Sequence, residues 1–571
     1  MNIFRSAPYL FFLEAFFFIS FMQGTNYYVA TSYGNDSNNG TSINTPFKTI
    51  GKAAGLMSSG DKCYIRQGRY HETITIDDLD GASGSAIVFT NYNNERVVVD
   101  GTTPITSIWT QVGSSNIWRT KLSSDIWQLF INWEEQVMAR WPNAKFSDDT
   151  VWDNDNYWAK GTIDDDENAY TNGTIIDDPY TNSAGTTIDL NATGFDLDET
   201  NKQAIAILNL GSFRTWSRLV TNHSGSTFNY ATVPNWKTKH HYYYLEGRKE
   251  FLDQEGEWWY DTYNDADSLY YYAANGVNPN RLDFRGKVQS YAFSITGSQY
   301  VQIKNLEFFA TTVYFSNGDN CLVYGCNFMY PSCSKRMLRT VDTEPEMTKF
   351  ASGSSGSSIR NCAFRNTDGT ALEMWGGTDT VDNCYFNKID YSVADNSSIM
   401  LTIRMNGTSN VFRKNTVHRT GGSATVMVGD AGLVEYNNLY DTGHLQSDGS
   451  MIQFMEGQQD GAICRYNWLH DTEKYGARFD HSGDADGVNG IMHHNVAWNC
   501  ESGGIMVKGD NHKIYNNTVL NSGSKNDIIV LQINSGDHAS TIVKNNAAGK
   551  IANHRNNNVA IDFGTYTNNW N

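Results

Sequence analysis

Short runs of alternating apolar and polar residues recur through the second half of the chain. They include residues 400–406 (MLTIRMN), 451–456 (MIQFME), 477–481 (ARFDH) and 505–510 (IMVKGD). In each run Ile, Val, Met or Phe alternates with Thr, Arg, Gln, Asp or Lys. A period of two is typical of strands with one face in a core and the other face outward. The pattern therefore predicts many short strands, each with a buried row and an outer row of side chains.

An asparagine-containing phrase repeats alongside these strands. Its asparagines are Asn327, Asn361, Asn383, Asn415, Asn437, Asn467, Asn495, Asn516 and Asn545, spaced by 21 to 34 residues. A coil of three short strands and three turns needs about as many residues as the shortest of these spacings. We expect an Asn at one turn to stack on the Asn of the next coil, with amide hydrogen bonds along the stack. The chain is thus predicted to be all-β, with the solenoid architecture of a right-handed parallel β-helix.

The first 24 residues differ from the rest. Arg5 precedes an apolar run that is interrupted by Glu14 and ends near Gly24. This arrangement predicts a secretory signal peptide at residues 1–24. No other segment is apolar enough for a bilayer, so we expect a secreted protein, extracellular or periplasmic, that has no membrane association after signal cleavage.

The repeat is interrupted before the main run of coils. Residues 25–102 predict an N-terminal cap and the first coils, and 291–571 predict the main β-helix. The interruption, 103–290, contains residues 129–143 (LFINWEEQVMARWPN) and 252–261 (LDQEGEWWYD). Together these phrases resemble glycoside hydrolase families 120 and 141, in which a β-sandwich interrupts a β-helix. The resemblance implies an inserted β-sandwich-like domain. Family 120 implies a xylosidase, and family 141 implies action on glycans that contain fucose or xylose.

The amino-acid composition argues against several classes of fold and function. The chain has 571 residues, a net charge of −19 and only 18% charged residues, with 49 Gly and 9 Pro. Few charges and many glycines argue against helical bundles, and 40% hydrophobic residues argue against disorder. The acidic balance argues against a nucleic acid partner, because binding phosphates needs excess Lys and Arg. Aromatic residues make up 13% and offer flat apolar surfaces for sugar rings.

Three of the eight cysteines fall at one position of the repeat. Cys326, Cys362 and Cys384 each stand beside an Asn and two residues before a Phe. This regular placement predicts small buried apolar residues rather than a disulfide framework.

The β-helix predicts where a pair of carboxylates would meet. Strands of neighbouring coils lie about 4.8 Å apart, so residues at equivalent positions form columns along one face. Alignment of the coils pairs Asp480 with Lys508, which would keep Asp480 ionised as a nucleophile or base. Asp448 lies one coil earlier and is the candidate proton donor, with Glu456 as the alternative. A turn role for Asp448, and a surface ion pair for Asp480, are the structural alternatives.

Further residues are candidates for substrate binding. They are Arg478, Lys508, His444, Gln453, Arg404 and Trp375. No metal site and no cofactor are required by a two-carboxylate hydrolase. Asp484 and Asp486 lie in a short acidic loop that could bind Ca²⁺ through oxygen ligands.

Three functions fit these observations. The favoured one is a secreted glycoside hydrolase, a monomer, acting on plant or algal polysaccharide or oligosaccharide. The second is a polysaccharide lyase, in which Lys508 abstracts a proton and Arg478 or Ca²⁺ neutralises a uronate. The third is a non-catalytic carbohydrate-binding adhesin, which predicts that Asp480→Asn is tolerated.

Overall fold

The computed structural model describes residues 24–161, 173–233, 238–263, 267–396, 401–481 and 487–570. Within these residues, three parallel sheets of 14, 12 and 12 strands stack along one axis. Each complete coil supplies one strand to each sheet in turn, and we call them sheet 1, sheet 2 and sheet 3. The predicted β-helix is confirmed. The predicted signal peptide lies, except for Gly24, outside the described residues.

The strands of the three sheets are short and evenly repeated. Sheet 1 contains Asn26–Val29, Lys62–Ile65, Ile87–Asn91, Val301–Lys304, Leu322–Tyr324, Ser358–Arg360, Thr380–Asp382, Val411–Arg413, Leu433–Glu435, Ile463–Arg465, Ile491–His493, Lys513–Tyr515, Ile542–Lys544 and Thr565–Thr567. Sheet 2 contains Gly68–Tyr70, Val97–Asp100, Glu307–Phe309, Asn327–Met329, Ala363–Arg365, Tyr385–Ile389, Thr416–Thr420, Asn438–Thr442, Trp468–Thr472, Val496–Cys500, Thr518–Leu520 and Ala547–Ala548. Sheet 3 contains Ile74–Asp77, Tyr291–Thr296, Thr312–Ser316, Thr348–Phe350, Leu372–Met374, Leu401–Thr408, Ala424–Asp430, Ser450–Phe454, Tyr475–Phe479, Ile505–Val507, Ile528–Val530 and Ile551–Ala552.

Like residues stack along the bore of the helix. Phe308, Phe328, Phe364 and Phe386 occupy one column, and their ring centroids are 4.6, 4.7 and 5.0 Å apart. All four rings are fully buried. Burial of each contributes roughly 1.5–3 kcal/mol, so the inward row of every strand stabilises the coil above and below it.

The asparagine ladder lies between sheets 1 and 2, but part of its predicted register is wrong. Its members are Asn415, Asn437, Asn467, Asn495, Asn517, Asn546 and Asn569, and the side-chain oxygen of each later member accepts from the backbone N–H of the preceding one. The ladder residues are therefore Asn517 and Asn546 rather than the predicted Asn516 and Asn545. Asn516 and Asn545 each precede a ladder residue and have φ of 56° and 55°. Asn361 and Asn383 also have left-handed backbone, which Asn tolerates better than most residues.

Cysteine replaces asparagine at the start of the ladder. The backbone N–H of Cys384 donates to Oδ1 of Asn415 at 2.8 Å, which places Cys384 directly before the first ladder Asn. Cys326 and Cys362 follow the same left-handed position in earlier coils, so Asn327 is also not a ladder residue. All eight cysteines are free and buried, and Cys326, Cys362 and Cys384 are buried at the repeat position as predicted.

A short helix covers the first coils. It spans Ile50–Ala54, and its N-cap Thr49 accepts from the backbone N–H of Lys52. Ile50, Ala53 and Ala54 are buried in the same core as the sheets. The cap therefore shields the end of the bore. No helix among the described residues is long and apolar enough to cross a bilayer.

Antiparallel sheets occupy the predicted interruption. One contains Thr102–Pro104, Leu129–Ile131, Glu134–Gln136 and Phe284–Lys287, and another contains Thr110–Gln111, Ile117–Lys121, Trp258–Asp261 and Ser268–Tyr272. The largest contains Arg140–Trp141, Ala159–Lys160, Thr174–Ile176, Ile205–Gly211, Arg214–Ser224, Thr227–Tyr230 and Thr238–Glu246, and a hairpin joins Tyr180–Thr181 to Thr187–Ile188. Two further helices span Asn154–Tyr157 and Leu190–Thr193, and 3-10 turns span Thr150–Trp152, Lys249–Phe251, Pro279–Arg281, Arg336–Leu338 and Glu456–Gln458. The predicted domain boundaries and the sandwich arrangement stay predictions.

Buried ion pairs join this insertion to the coils. Arg336 Nε lies 3.0 Å from Glu246 of the insertion, and Nη1 lies 3.1 Å from Asp368 of the β-helix. All three side chains are withdrawn from solvent. Loss of one partner would leave a buried charge uncompensated, so it should destabilise the contact between the insertion and the coils.

Candidate active site

One column on the outer face of sheet 3 carries three of the candidate residues, Arg404, Gln453 and Arg478. Its register runs through Lys349, Glu373, Arg404, Met427, Gln453, Arg478 and Met506. The column places Gln453 beside Arg478, as the alternation predicts. Except for the partly exposed Lys349, the polar residues of the column are almost fully buried, so their charges must be paired.

Asp480 follows strand Tyr475–Phe479 and is held by three side chains. Oδ2 lies 3.0 Å from Nη2 of Arg478 and 3.4 Å from Nε2 of Gln453. Lys508 Nζ forms an ion pair with Oδ1 from the next coil. The predicted column of Asp480 with Lys508 is therefore present. Two cations fix the orientation of a carboxylate that is only 12% exposed.

Asp448 reaches the same guanidinium from the preceding coil. Its Oδ1 accepts from Nη1 of Arg478 at 2.8 Å, and its side chain is 36% exposed. Its backbone N–H donates to Ser212 O, in the turn between insertion strands Ile205–Gly211 and Arg214–Ser224. Gly449 follows with φ 120°, and a Cβ there would stand 1.6 Å from Ser423 O. The insertion and this tight turn together position Asp448.

Arg478 is the centre of the cluster. Besides the two carboxylates, its Nε donates to Oε1 of Gln453 at 2.9 Å. Burial alone would lower the pKa of Arg478, but the charges of Asp448 and Asp480 outweigh it and raise that pKa. A permanently charged, forked side chain thus bridges two carboxylates, the geometry for which guanidinium is suited.

Glu456 begins the turn that follows strand Ser450–Phe454. In the same turn, Gln459 Nε2 donates to the backbone oxygen of Asp480 at 2.7 Å. Lys508 Nζ lies 3.4 Å from the backbone oxygen of His481. The segment that carries Glu456 is therefore tied to the backbone of Asp480.

Arg404 and Trp375 belong to a second cluster on sheet 3, around Glu373. Trp375 Nε1 donates to Oε2 of Glu373 at 2.9 Å, and Arg404 Nη1 lies 3.5 Å from Oε1. Lys349 Nζ lies 2.8 Å from Oε2. The register separates Glu373 from Gln453 by three coil steps, about 14 Å at strand spacing. Sequence reasoning missed Glu373, although a Glu on the outward phase of the strand Leu372–Met374 was an available signal.

His444 contacts Asp441 rather than Asp480. Its Nε2 lies 2.9 Å from Oδ1 of Asp441, and Arg419 pairs with the other oxygen at 3.0 Å. The hydrogen bond from His444 is the largest cause that lowers the pKa of Asp441 to about 2, and Arg419 adds to it. The structure places the His444 ring against Asp441 in a turn rather than in contact with the carboxylate cluster. Asp484 and Asp486, the candidate Ca²⁺ loop, lie outside the described residues.

Comparisons with known proteins agree with the fold. Residues 350–519 match the family model described as right handed beta helix region. An uncharacterized protein, YwoF of Bacillus subtilis strain 168, is 38% identical over 76 residues, which are 13% of this chain and 16% of that protein. The chain therefore spans only a small part of the length of this curated relative.

Solved structures match over most of the chain. A protein described as a glycoside hydrolase aligns with a TM-score of 0.59 and 14% identity, covering 92% of this chain and 96% of that one. A complex of XylC with xylose aligns with a TM-score of 0.43 and 12% identity, covering 83% of this chain and 75% of that one. The specific families 120 and 141 stay a prediction. The chain carries a right-handed β-helix region, and its overall fold is similar to that of a solved glycoside hydrolase.

Proposed function

We propose that this protein is a glycoside hydrolase that cleaves polysaccharide or oligosaccharide with a pair of carboxylates on sheet 3. The observation that carries the proposal is the bridge from Arg478 to both Asp448 and Asp480. Glycosidases use two carboxyl groups about 5–5.5 Å apart when they retain configuration and about 6.5–9.5 Å apart when they invert it. Asp448 and Asp480, which share one guanidinium, are the candidates for such a pair.

In this proposal Asp480 is the ionised carboxylate. Arg478 and Lys508 stabilise its negative charge, and Gln453 limits its rotation. Asp480 then either attacks the anomeric carbon or removes a proton from the attacking water. The second carboxyl group protonates the glycosidic oxygen as the bond to the leaving sugar breaks.

Asp448 is proposed as the proton donor because it is the more exposed member of the pair. Its ion pair with Arg478 favours a carboxylate, so protonation of Asp448 requires that substrate weaken this contact. Glu456, on the turn tied to the Asp480 backbone, is the alternative donor. A substrate whose leaving group has a low pKa needs little help from a proton donor. Replacement of the donor should slow such a substrate least, whereas replacement of Asp480 should still slow it.

The ion pairs also favour hydrolysis over elimination. Lys508 and Arg478, the proposed base and neutraliser of a lyase, both contact Asp480. Both cations are therefore already paired with a carboxylate of the protein. The net charge of −19 also repels a polyanionic substrate. Secretion and a monomeric state accompany the proposal as predictions.

The test is product analysis on neutral and acidic plant and algal polysaccharides. Hydrolysis releases reducing ends without ultraviolet absorbance, whereas elimination creates an unsaturated uronate that absorbs. Reducing ends that form with wild-type protein and do not form with Asp480→Asn support the hydrolase. New absorbance supports the lyase, and full activity of Asp480→Asn contradicts the proposed role of this carboxylate.

A further inference from the structure

A recess lies between the insertion and the coils, and it is not lined by the residues proposed for catalysis. Its volume is about 470 Å³, within the roughly 300–1,000 Å³ typical of small-molecule sites. From the insertion it is lined by strand Glu134–Gln136, by Lys145 and by Glu255; from the coils it is lined by Asn366 and Lys388. It shares no lining residue with the cluster of Asp448, Arg478 and Asp480.

Aromatic side chains form much of its wall. They are Phe146, Trp152, Tyr271, Tyr330 and Tyr391. The Phe146 and Tyr391 rings meet edge to face at 4.7 Å, and Tyr330 donates to Oε2 of Glu134 at 3.2 Å. Rigid rings with polar edges provide both apolar surface and oriented hydrogen bonds.

Glu135 stands at the inner boundary of this recess. Gln128 Nε2 donates to its Oε1 at 2.6 Å, and the Tyr391 hydroxyl donates to the same oxygen at 3.3 Å. Its Oε2 is withdrawn from solvent and has no hydrogen-bond partner among the described residues. Burial raises the pKa of Glu135 to about 8, although both hydrogen bonds act in the opposite direction. Burial therefore favours the protonated form of this side chain.

Acidic and basic side chains both line the recess. Glu134 and Glu255 are acidic and Lys145 and Lys388 are basic, and Lys388 Nζ is paired with Asp149 at 2.6 Å. Amides of Gln136 and Asn366 add paired donors and acceptors. A lining of both signs with several amide donors and acceptors fits a ligand with many hydroxyl groups better than it fits a polyanion.

We propose that this recess, formed by the insertion strand of Glu135 and the turns of Tyr330 and Tyr391, binds a neutral oligosaccharide. It is a binding site additional to the proposed catalytic cluster. The aromatic walls cover the apolar faces of the sugar rings, and the mixed polar groups bind the hydroxyls. The site would hold a portion of glycan against the insertion whether or not the chain is hydrolysed on sheet 3.

The experiment measures binding rather than activity. Xylobiose, cellobiose, mannobiose and digalacturonate are titrated calorimetrically into full-length Asp480→Asn protein, so that turnover does not interfere. Ser147 is an exposed residue of the recess wall, and Ser147→Trp is introduced to fill it. Ser183→Trp, at an exposed position outside the recess, is the matched control.

We expect saturable binding of at least one neutral disaccharide, weakened about tenfold or more by Ser147→Trp, which corresponds to about 1.4 kcal/mol. Ser183→Trp should bind like its parent, and Glu135→Gln, which keeps a donor, should bind more tightly than Glu135→Ala. Circular dichroism and melting temperature check that each variant is folded. Absence of saturable binding, equal binding by Ser147→Trp, or binding of digalacturonate alone would each overturn the proposal. None of these outcomes depends on whether wild-type protein hydrolyses a glycan.

Discussion

Nη2 of Arg478 lies 3.0 Å from Oδ2 of Asp480 within one coil, on the outer face of sheet 3. The same guanidinium contacts Asp448 of the preceding coil at 2.8 Å. This relationship joins two carboxylates 32 residues apart in sequence through one buried cation, as their numbering shows. The first two predictions test it directly.

Replacement of Asp480 by Asn should abolish most of the hydrolysis. Asn keeps the size of the side chain but removes the charge needed to attack carbon or to accept a proton, so we expect a loss of about 10²–10⁴-fold in kcat. Initial rates on a substrate identified by product analysis measure it. Asp471→Asn is the matched control, because Asp471, in strand Trp468–Thr472 of sheet 2, hydrogen-bonds to His470 and Asn499. Equal losses in both variants would contradict a specific role for Asp480.

Removal of Arg478 should destabilise the protein and should be partly reversed by removal of Asp448. Arg478→Met leaves two carboxylates close together without their shared cation, at a cost of about 3 kcal/mol. Asp448→Asn in the same protein removes one negative charge, so the double variant should be more stable than Arg478→Met alone. Denaturant unfolding of the four proteins in this cycle measures the coupling. Strict additivity would show that Asp448 and Arg478 do not interact.

The asparagine ladder should contribute measurably to stability. Asn467 Nδ2 donates to Val434 O and to Asn495 Oδ1, at 3.0 Å each. Its Oδ1 accepts from the backbone N–H of Asn437. Asn467→Ala leaves these buried groups unpaired, so we expect a loss of about 1–3 kcal/mol in the free energy of unfolding. Asn222→Ala, on an exposed part of the insertion, should change it by less than about 0.5 kcal/mol. Similar losses in the two variants would contradict the ladder's role.

Glu257 should make stability fall as pH rises. Burial raises the pKa of Glu257 from 4.5 to about 8, despite hydrogen bonds from the backbone N–H groups of Gln254 and Asp253. Folding therefore favours the protonated form, and this contribution is complete below pH 4.5 and is lost as pH passes through about 8. Glu257→Gln has no such dependence. Its melting temperature relative to wild type should therefore be higher at pH 9 than at pH 5, by about 2 °C or more. A constant difference would show that the folded pKa is not raised.

Much of the β-helix could be predicted from the sequence, because its contacts repeat locally. Each coil packs on the next, so the inward row and the turn residues recur at nearly regular intervals. The register of the ladder was harder to predict. Asn516 and Asn517 are adjacent, and the pattern does not indicate which of the two has left-handed backbone and which belongs to the ladder. The structure assigns φ 56° to Asn516 and the ladder to Asn517.

The candidate site also has contacts that the sequence predicted and contacts that it did not. The strand alternation predicted that Gln453 lies beside Arg478 and that Asp480 meets Lys508, since both contacts join neighbouring coils. The clusters of Glu373 with Trp375 and of His444 with Asp441 depend on side-chain directions that a one-dimensional pattern does not contain.

The sequence by itself thus determined the coil, its inward and outward rows and the column that carries Arg478. Only the tertiary structure decided what covers that column. Ser212 of the insertion supports the backbone of Asp448 across more than two hundred residues of chain, and Glu135 meets Tyr391 in the same way. Such contacts join two different architectures, and no periodic pattern of one chain segment specifies how it packs on the other.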